Sequence, residues 1–372
     1  MKYIFYLSGD YIDLGKEEVL SLFEIKDSKL LNNLLITDLN DNSKSLNNVF
    51  LRLALTKYIY RSLFECKVDE LINFMKKYDW NSVYKGSFCV RVDNFYESTI
   101  MKKSIKVKYN KRLINKNIKS DKKQFTEKQL ASYIWHRLSN PKVNLEKPKT
   151  LIQLFITKGK AYCGLLVYTN KEDFESRKSH LRPFPHPSSL HPKIARALVN
   201  ISEINEGEIL LDPFCGTGGL LIEAGLMDIK TIGYDISKTM IEGCKENLKY
   251  FKIKNYILKN KNALEINDNF DYVVTDLPYG LNSNVVIKDE NNSRKENRIN
   301  KKIKTKDFIK NIESFYLKFL KQLRKKLKKK TVIVFPDFVN YKKLLKISKF
   351  KIEKEFEQYV HRSLRRKIVK IS

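Results

Sequence analysis

Glu208-Ile209-Leu210-Leu211-Asp212-Pro213-Phe214-Cys215-Gly216-Thr217-Gly218-Gly219-Leu220 is the stretch on which the reading of this 372-residue chain turns. Glu208–Leu211 has the character of a buried strand. A glycine-rich turn follows it, and Leu220–Leu226 continues as a helix. Glycines let a backbone bend sharply and approach a ligand closely, which is how dinucleotide folds seat a pyrophosphate. This turn lacks the G-x-G-x-x-G spacing. It opens instead on a carboxylate, Asp212, which would repel phosphate and attract an ammonium group.

The flanking sequence extends the pattern. Lys230–Tyr234 reads as a second strand and Lys238–Tyr250 as a second helix; Tyr256–Lys259, Tyr272–Thr275 and Thr331–Phe335 read as further strands. Phe308–Leu327 is an amphipathic basic helix, and Lys349–Ile371 looks like two antiparallel strands. Such alternation predicts the α/β class with a doubly wound parallel sheet. About 20 residues beyond Asp212 stands Asp235, where an acidic residue can accept both ribose hydroxyl protons. Asn262-Ala263 follows the third strand, and Asn262 has the donor and the acceptor that an adenine edge requires. With Phe214, Gly216 and Gly218 of the turn, these strand ends suit an amino acid, a ribose and a base, the three parts of S-adenosyl-L-methionine. At this point a nicotinamide enzyme is the main rival.

Asp276-Leu277-Pro278-Tyr279-Gly280 closes the fourth strand, beside the crevice expected where the strand order reverses. An amine on a nucleobase is a poor nucleophile because its lone pair is delocalised into the ring. The Asp276 carboxylate and the Leu277 carbonyl are suited to accept its two N–H bonds. Pro278 removes a competing N–H and stiffens the turn, and Tyr279 offers a flat face for stacking. This block favours an amine methyl acceptor over nicotinamide chemistry.

The two motifs resemble class I (Rossmann-like) S-adenosylmethionine-dependent amino-methyltransferases. In its D-L-P-Y-G form the second resembles the archaeal tRNA (guanine-N2-) methyltransferases that act on guanosine-10. The junction R-P-F-P-H-P-S-S-L-H-P-K-I-A-R-A-L-V-N, residues 182–200, resembles that family's entry into its catalytic domain. The resemblance implies that this segment closes over the methionine side of the cofactor, placing Leu190, His191 and Pro192 near it. Asn262 stands where the family usually has Asp.

The N-terminal half resembles a ferredoxin-like domain followed by a THUMP RNA-binding module. The matching stretches are Ser87–Val92, Ser139–Leu145 and the hairpin of Leu151–Thr157 with Lys160–Thr169 across Lys158-Gly159. The expected division is residues 1–65 ferredoxin-like, 66–170 THUMP, 171–192 a proline-rich linker and 193–372 catalytic. Within the first of these, helices are expected over Gly15–Phe23 and Phe50–Phe64; within the second, a helix over Thr126–Leu138 with Thr126 as its N-cap. The resemblance implies that the module grips the 3′-CCA end of tRNA. Lys102, Lys103, Lys106, Lys108, Arg112 and Lys142 are candidate phosphate contacts there. Arg362, Arg365 and Arg366, with the polar stretch Asn282–Lys304, are candidates around an extruded guanosine.

Composition agrees with a polyanionic partner. Lys and Arg total 72 against 42 Asp and Glu, a formal net charge of +30, although a generally Lys-rich composition contributes part of this. The five cysteines, Cys66, Cys89, Cys163, Cys215 and Cys244, show no metal-ligand spacing and read as reduced thiols of a cytoplasmic protein. The apolar N-terminus reads as a strand rather than a signal peptide, and no apolar run reaches the ~18 residues of a membrane span. The partners expected are tRNA and no membrane; a small activator subunit, as the eukaryotic relatives need, and a monomeric state stay open. The alternatives are guanine-N2 methylation elsewhere in tRNA or in rRNA, a non-catalytic RNA-binding protein or chaperone, and a DNA adenine-N6 methyltransferase.

Overall fold

A computed structural model describes residues 1–39, 46–95, 125–187, 189–280, 298–361 and 364–372, with backbone alone for 298–305 and 361. Lys102, Lys103, Lys106, Lys108, Arg112, Arg362 and the 282–297 part of the polar stretch lie outside the described residues. The first half runs β1 (Lys2–Leu7), α1 (Ile12–Leu22), β2 (Lys29–Leu31), β3 (Leu34–Asp38), α2 (Leu46–Arg52), β4 (Thr56–Lys67), α3 (Leu71–Lys77), β5 (Phe88–Phe95), α4 (Glu127–Trp135), β6 (Thr150–Thr157) and β7 (Lys160–Thr169). The second runs α5 (Pro192–Ile201), β8 (Ile209–Asp212), α6 (Gly219–Gly225), β9 (Lys230–Asp235), α7 (Lys238–Tyr250), β10 (Tyr256–Asn260), β11 (Phe270–Asp276), α8 (Arg298–Lys326), β12 (Leu327–Pro336), α9 (Tyr341–Ile347), β13 (Ile352–His361) and β14 (Leu364–Ile371).

The chain divides into two compact units that are not contiguous in sequence. One holds Met1–Leu7, Asp27–Ser43 and Thr56–Thr169; the other holds Ser8–Lys26, Lys44–Leu55 and Asn170–Ser372. The stretch 1–65 is therefore shared between them: α1 and α2 belong with the C-terminal half.

The first unit is built on one sheet, ordered β2-β3-β1-β4-β7-β6-β5. The β6–β7 hairpin turns at Lys158 and Gly159, with φ of +50° and +74°, the left-handed pair that a two-residue hairpin loop requires. Thr126 caps α4 by accepting the Gln129 N–H at 3.1 Å. The helix expected over Phe50–Phe64 is absent. The chain is helical only to Arg52 and is a strand from Thr56. Apolar spacing through Phe50, Leu53, Ala54 and Ile59 suggested a helix, but Thr56, Tyr58, Ile59, Tyr60 and Phe64 are β-branched or aromatic, and β4 has β1 and β7 as partners on its two edges.

The second unit carries a seven-stranded sheet ordered β10-β9-β8-β11-β12-β14-β13, in which β14 alone runs antiparallel to the rest. Alternate residues of its strands feed two separate cores. Leu210, Tyr272, Val274, Val332, Val334 and Ile368 face α5 and α6. Leu211, Val273, Ile333, Phe335, Val369 and Ile371 face α8 and α9. Both faces are covered, so the strands are apolar at successive positions, as buried parallel strands are. On α8 the residues Ile312, Tyr316, Phe319, Leu320 and Leu323 recur at helical spacing and pack on the second face. From β8 the chain winds outward to β9 and β10, then crosses back to β11 on the other side. The order reverses between β8 and β11, the place at whose carboxyl ends such sheets form their ligand crevice. Among the described residues no helix is long and apolar enough to cross a membrane.

Candidate active site

Asp212 ends β8 at the reversal point and is only 2% exposed. Its Oδ1 accepts the Phe214 N–H at 3.1 Å and the Thr275 hydroxyl of β11 at 2.7 Å. Burial, helped by the charges of Asp276 and Asp235, pushes this carboxyl up to about 7 against the pull of those two donors. Gly216 and Gly218 have φ of +50° and +86°. At Gly218 a Cβ would stand 2.7 Å from Cys244 Sγ, so both its conformation and its packing call for glycine.

Asp235 ends β9 and closes the turn from the other side. It accepts the Gly216 N–H at 3.0 Å and the Ser237 N–H at 2.9 Å, and burial raises its pKa. Asn262 accepts the Leu264 N–H at 2.9 Å and so caps the short turn containing the buried Ala263. Phe214 is held edge-on against Phe315 and Phe319 of α8, with ring centroids 5.9 and 5.0 Å away.

The proline-rich segment is fastened onto this turn. Asn247 of α7 donates to the carbonyls of Phe184 and Thr217 and accepts the Phe184 N–H, each near 3 Å (2.9, 3.0 and 2.9 Å). The Ser189 and Thr217 hydroxyls are 3.4 Å apart. Leu190 is buried in the first core, His191 caps α5 by accepting the Lys193 N–H, and Pro192 begins that helix. Burial lowers the His191 pKa, against the nearby Glu175 carboxylate.

Behind the turn lies a charge cluster without a counterpart in the sequence reading. Arg177 and Arg196 both donate to Glu223, at 2.8 and 2.9 Å, and both pair with Glu172. Arg182 is 4% exposed and reaches to within 3.5 Å of where a Gly219 Cβ would be. Its Nε donates to the Arg177 carbonyl, but Nη1 and Nη2 are buried with no hydrogen-bond partner among the described residues. Three guanidinium groups thus face two carboxylates.

At the end of β11 the D-L-P-Y-G block is held by three elements. The Tyr279 hydroxyl donates to Asp276 Oδ1 at 2.5 Å, and Arg366 of β14 donates through Nε to the Tyr279 hydroxyl at 2.8 Å. Tyr316 of α8 donates to the Pro278 carbonyl at 2.7 Å, and the Leu277 N–H is tied to Val334. Burial raises Asp276 to about 6, with Arg366 pulling the other way. The Tyr279 and Tyr316 phenols are pushed well above their ordinary values by burial.

The sequence-predicted residues Asp212, Phe214, Gly216, Gly218 and Asp235 gather at one turn, and Asp276 sits beside them through Thr275. Of the expected RNA contacts, Lys142 is exposed in the first unit and Arg365 is exposed with its guanidinium on Glu357 at 2.7 Å. Arg366 is a correction: it is 5% exposed and bonded to Tyr279, because β14 returns it beside β12 with its side chain turned inward. Thr275, Asn247, Arg182 and Tyr316 were missed. Only Thr275 left a local trace, a small hydroxyl directly after Val273-Val274.

A parallel sheet reversing at β8, with a carboxylate–glycine turn and the D-L-P-Y-G block on adjoining strands, defines a class I methyltransferase fold. Residues 179–286 match the family model described as "RMKL-like, methyltransferase domain". The chain is similar to archaeal tRNA (guanine(10)-N2)-dimethyltransferases. It is 34% identical over 235 residues to that of Methanothermobacter thermautotrophicus, covering 62% of this chain and 63% of the relative. Against that of Pyrococcus abyssi it is 29% identical over 306 residues, covering 80% and 78%. Against that of Methanocaldococcus jannaschii it is 39% identical over 169 residues, covering 42% and 48%. The match thus spans just under two thirds of the first of these relatives and about half of the third.

Proposed function

We propose that this protein methylates the exocyclic N2 amine of a guanosine in tRNA, at the guanosine-10 position named in its relatives, with S-adenosyl-L-methionine as donor. The observation that carries the reading is the meeting of Asp212 and Asp276 across Thr275: a grip for a cationic amino acid beside a grip for an amine, on neighbouring strand ends. The residues present fit the donor. Asp212 retains acceptor lone pairs for an α-ammonium. Arg182 supplies an uncompensated buried guanidinium behind Gly219, of the sign an α-carboxylate needs. Asp235 and Asn262 would take the ribose hydroxyls and the adenine edge, with Ala263 and Phe214 as apolar walls and Leu190, His191 and Pro192 closing the methionine side.

When bound, the donor supplies a methyl carbon on a sulfonium, electrophilic at neutral pH. The chain's task is to orient the acceptor. Asp276 and the Leu277 carbonyl would accept the two N2–H bonds, drawing density toward the nitrogen. Tyr279, its ring fixed through two hydrogen bonds, would stack the purine for ~1–3 kcal/mol. Fixing the reacting atoms in line is worth up to ~7–11 kcal/mol of effective-molarity advantage. Asp276 is also the base nearest to the proton that the alkylated nitrogen must lose.

On the RNA side, the first unit would serve as the THUMP module, with Lys142 among its exposed cations. If about 6 phosphates are neutralised, tRNA affinity falls by ~10³ or more between 50 and 200 mM salt. The deciding experiment is mass spectrometry of nucleosides from unmodified tRNA incubated with the protein and isotope-labelled donor. Labelled N2-methylguanosine or N2,N2-dimethylguanosine is the expected product. Label in another nucleoside, or none, rejects the reading.

A further inference from the structure

Arg366 reads in the sequence as one more cation for RNA, yet its side chain points into the protein. Nε donates to the Tyr279 hydroxyl at 2.8 Å, and a terminal nitrogen stands 3.6 Å from Asp276 Oδ2. The guanidinium carbon lies 5.8 Å from the centre of the Tyr279 ring. These contacts follow from sheet register: β14 sets Arg366 opposite Pro336 on β12 and Gln358 on β13, at the same carboxyl edge that holds Asp276. An arginine in mid-sheet cannot follow a mobile RNA backbone, but it can fix two neighbouring groups with its rigid fork.

We propose, building on the methyltransferase reading above, that Arg366 is a positioning residue of the acceptor site: it locks the Tyr279 hydroxyl, and with it the ring plane and the Asp276 carboxylate, before the base arrives. The chemistry requires this of some cation. Asp276 must be ionised to accept from the amine; protonated, it would offer a donor where an acceptor is needed. Burial opposes ionisation, and Arg366 is the cation that opposes burial. Burial alone would lower the Arg366 pKa, but Asp276 and Tyr279 outweigh it and the net shift is upward. Among the described residues, titratable groups facing the pair include Tyr279 and Tyr316, neutral across the working range, Asp212 on β8, and Tyr11 at the head of α1, which faces Arg366.

The test is single-turnover methylation of unmodified tRNA from pH 5.5 to 9 with wild type, R366Q, R366K and Y279F. Binding of S-adenosylhomocysteine and of tRNA is measured in parallel. Wild type should lose rate on the acid side near pH 6. In R366Q that limb should move up by about two units, so the rate falls ~10-fold at pH 7 and largely recovers by pH 9. R366K should lie between, and affinity for both ligands should stay within about twofold of wild type. A uniform loss at every pH, or a loss of tRNA affinity with a shallower salt dependence, overturns the proposal. Should R366Q fail to fold, R366K and Y279F decide, since Y279F removes the hydroxyl that Arg366 holds and should move the same limb upward. Wild-type protein that transfers no methyl to tRNA would reject the underlying function. An active wild type whose variants superimpose on it in pH profile would reject only the role of Arg366.

Discussion

Asp212 gives the sharpest quantitative consequence of this structure. Its carboxyl, raised to about 7 by burial and by its anionic neighbours, is partly protonated at neutral pH when no ligand is present. A bound ammonium would favour the ionised form, so donor binding should release a proton. For a cation that binds only the ionised carboxylate, the apparent Kd is multiplied by one plus ten to the power (pKa − pH). That factor is about 1.1 at pH 8, about 2 at pH 7 and about 11 at pH 6, a loss of roughly 1.4 kcal/mol across the range. Isothermal titration with S-adenosylhomocysteine in buffers of different ionisation enthalpy measures both the affinity and the proton count. 5′-Methylthioadenosine, which lacks the ammonium, should show none of this dependence. Because Asp276 raises Asp212, a D276N protein should bind the ligand more tightly at pH 6 than wild type does. D212N should abolish the pH dependence and most of the affinity, yet stabilise the fold. The sign follows from linkage: a carboxyl whose folded pKa exceeds its unfolded value of about 3.9 favours the folded state below that value and loses this contribution as pH rises through about 7. At pH 8 the buried charge is therefore a cost, and its removal should raise stability by an amount on the order of 1–4 kcal/mol. Affinity constant between pH 6 and 8, or a D212N protein that binds as wild type, would refute the assignment of Asp212 to the ammonium.

Three other substitutions probe the framework. Glu18 on α1 is fully buried and accepts the N–H groups of Ala54 and Leu55, both at 2.8 Å, and the Asn200 amide at 2.7 Å; E18A leaves those donors unsatisfied and should lower urea-denaturation stability by about 3–5 kcal/mol. At Gly164 on β7 a Cβ would stand 2.7 Å from the Cβ of Tyr60 on the neighbouring β4; G164A should cost about 1–3 kcal/mol, seen as a lower melting temperature, with the residual donor affinity of folded protein unchanged. Arg365 is exposed; R365A should weaken tRNA binding about two- to tenfold with a shallower salt dependence and leave S-adenosylhomocysteine affinity intact, and an unaltered salt slope would remove Arg365 from the RNA surface.

Much of the second unit was legible because its signals are local. An apolar strand ending on Asp212, a glycine turn and a helix follow one another within about a dozen residues, and each step is dictated by backbone sterics or side-chain period. The Lys158-Gly159 hairpin and the Thr126 cap were readable for the same reason. The misread segment, Phe50–Phe64, has apolar residues that satisfy both periods, and only strand partners distant in sequence decide between them. The division into units was hidden for a related reason. Glu18 reaches Asn200 across 182 positions, so α1 joins the C-terminal half although it lies between two strands of the first sheet.

The same logic explains why the site was half legible. Asp212, Asp235 and Asp276 sit at strand ends, which the sequence marks. Thr275, Asn247, Arg182 and Arg366 matter only through sheet order, which it does not. Arg366 lies 87 positions from Tyr279 and reaches it because β14 inserts antiparallel beside β12, before β13. In that position it answers a physical need created upstream. Asp212 is buried and Asp276 half-buried, within reach of one another's fields, and desolvation that too little positive charge offsets raises the pKa of each. Arg366 supplies part of that charge to Asp276 permanently, leaving Asp212 as the carboxylate whose compensation must arrive with a ligand.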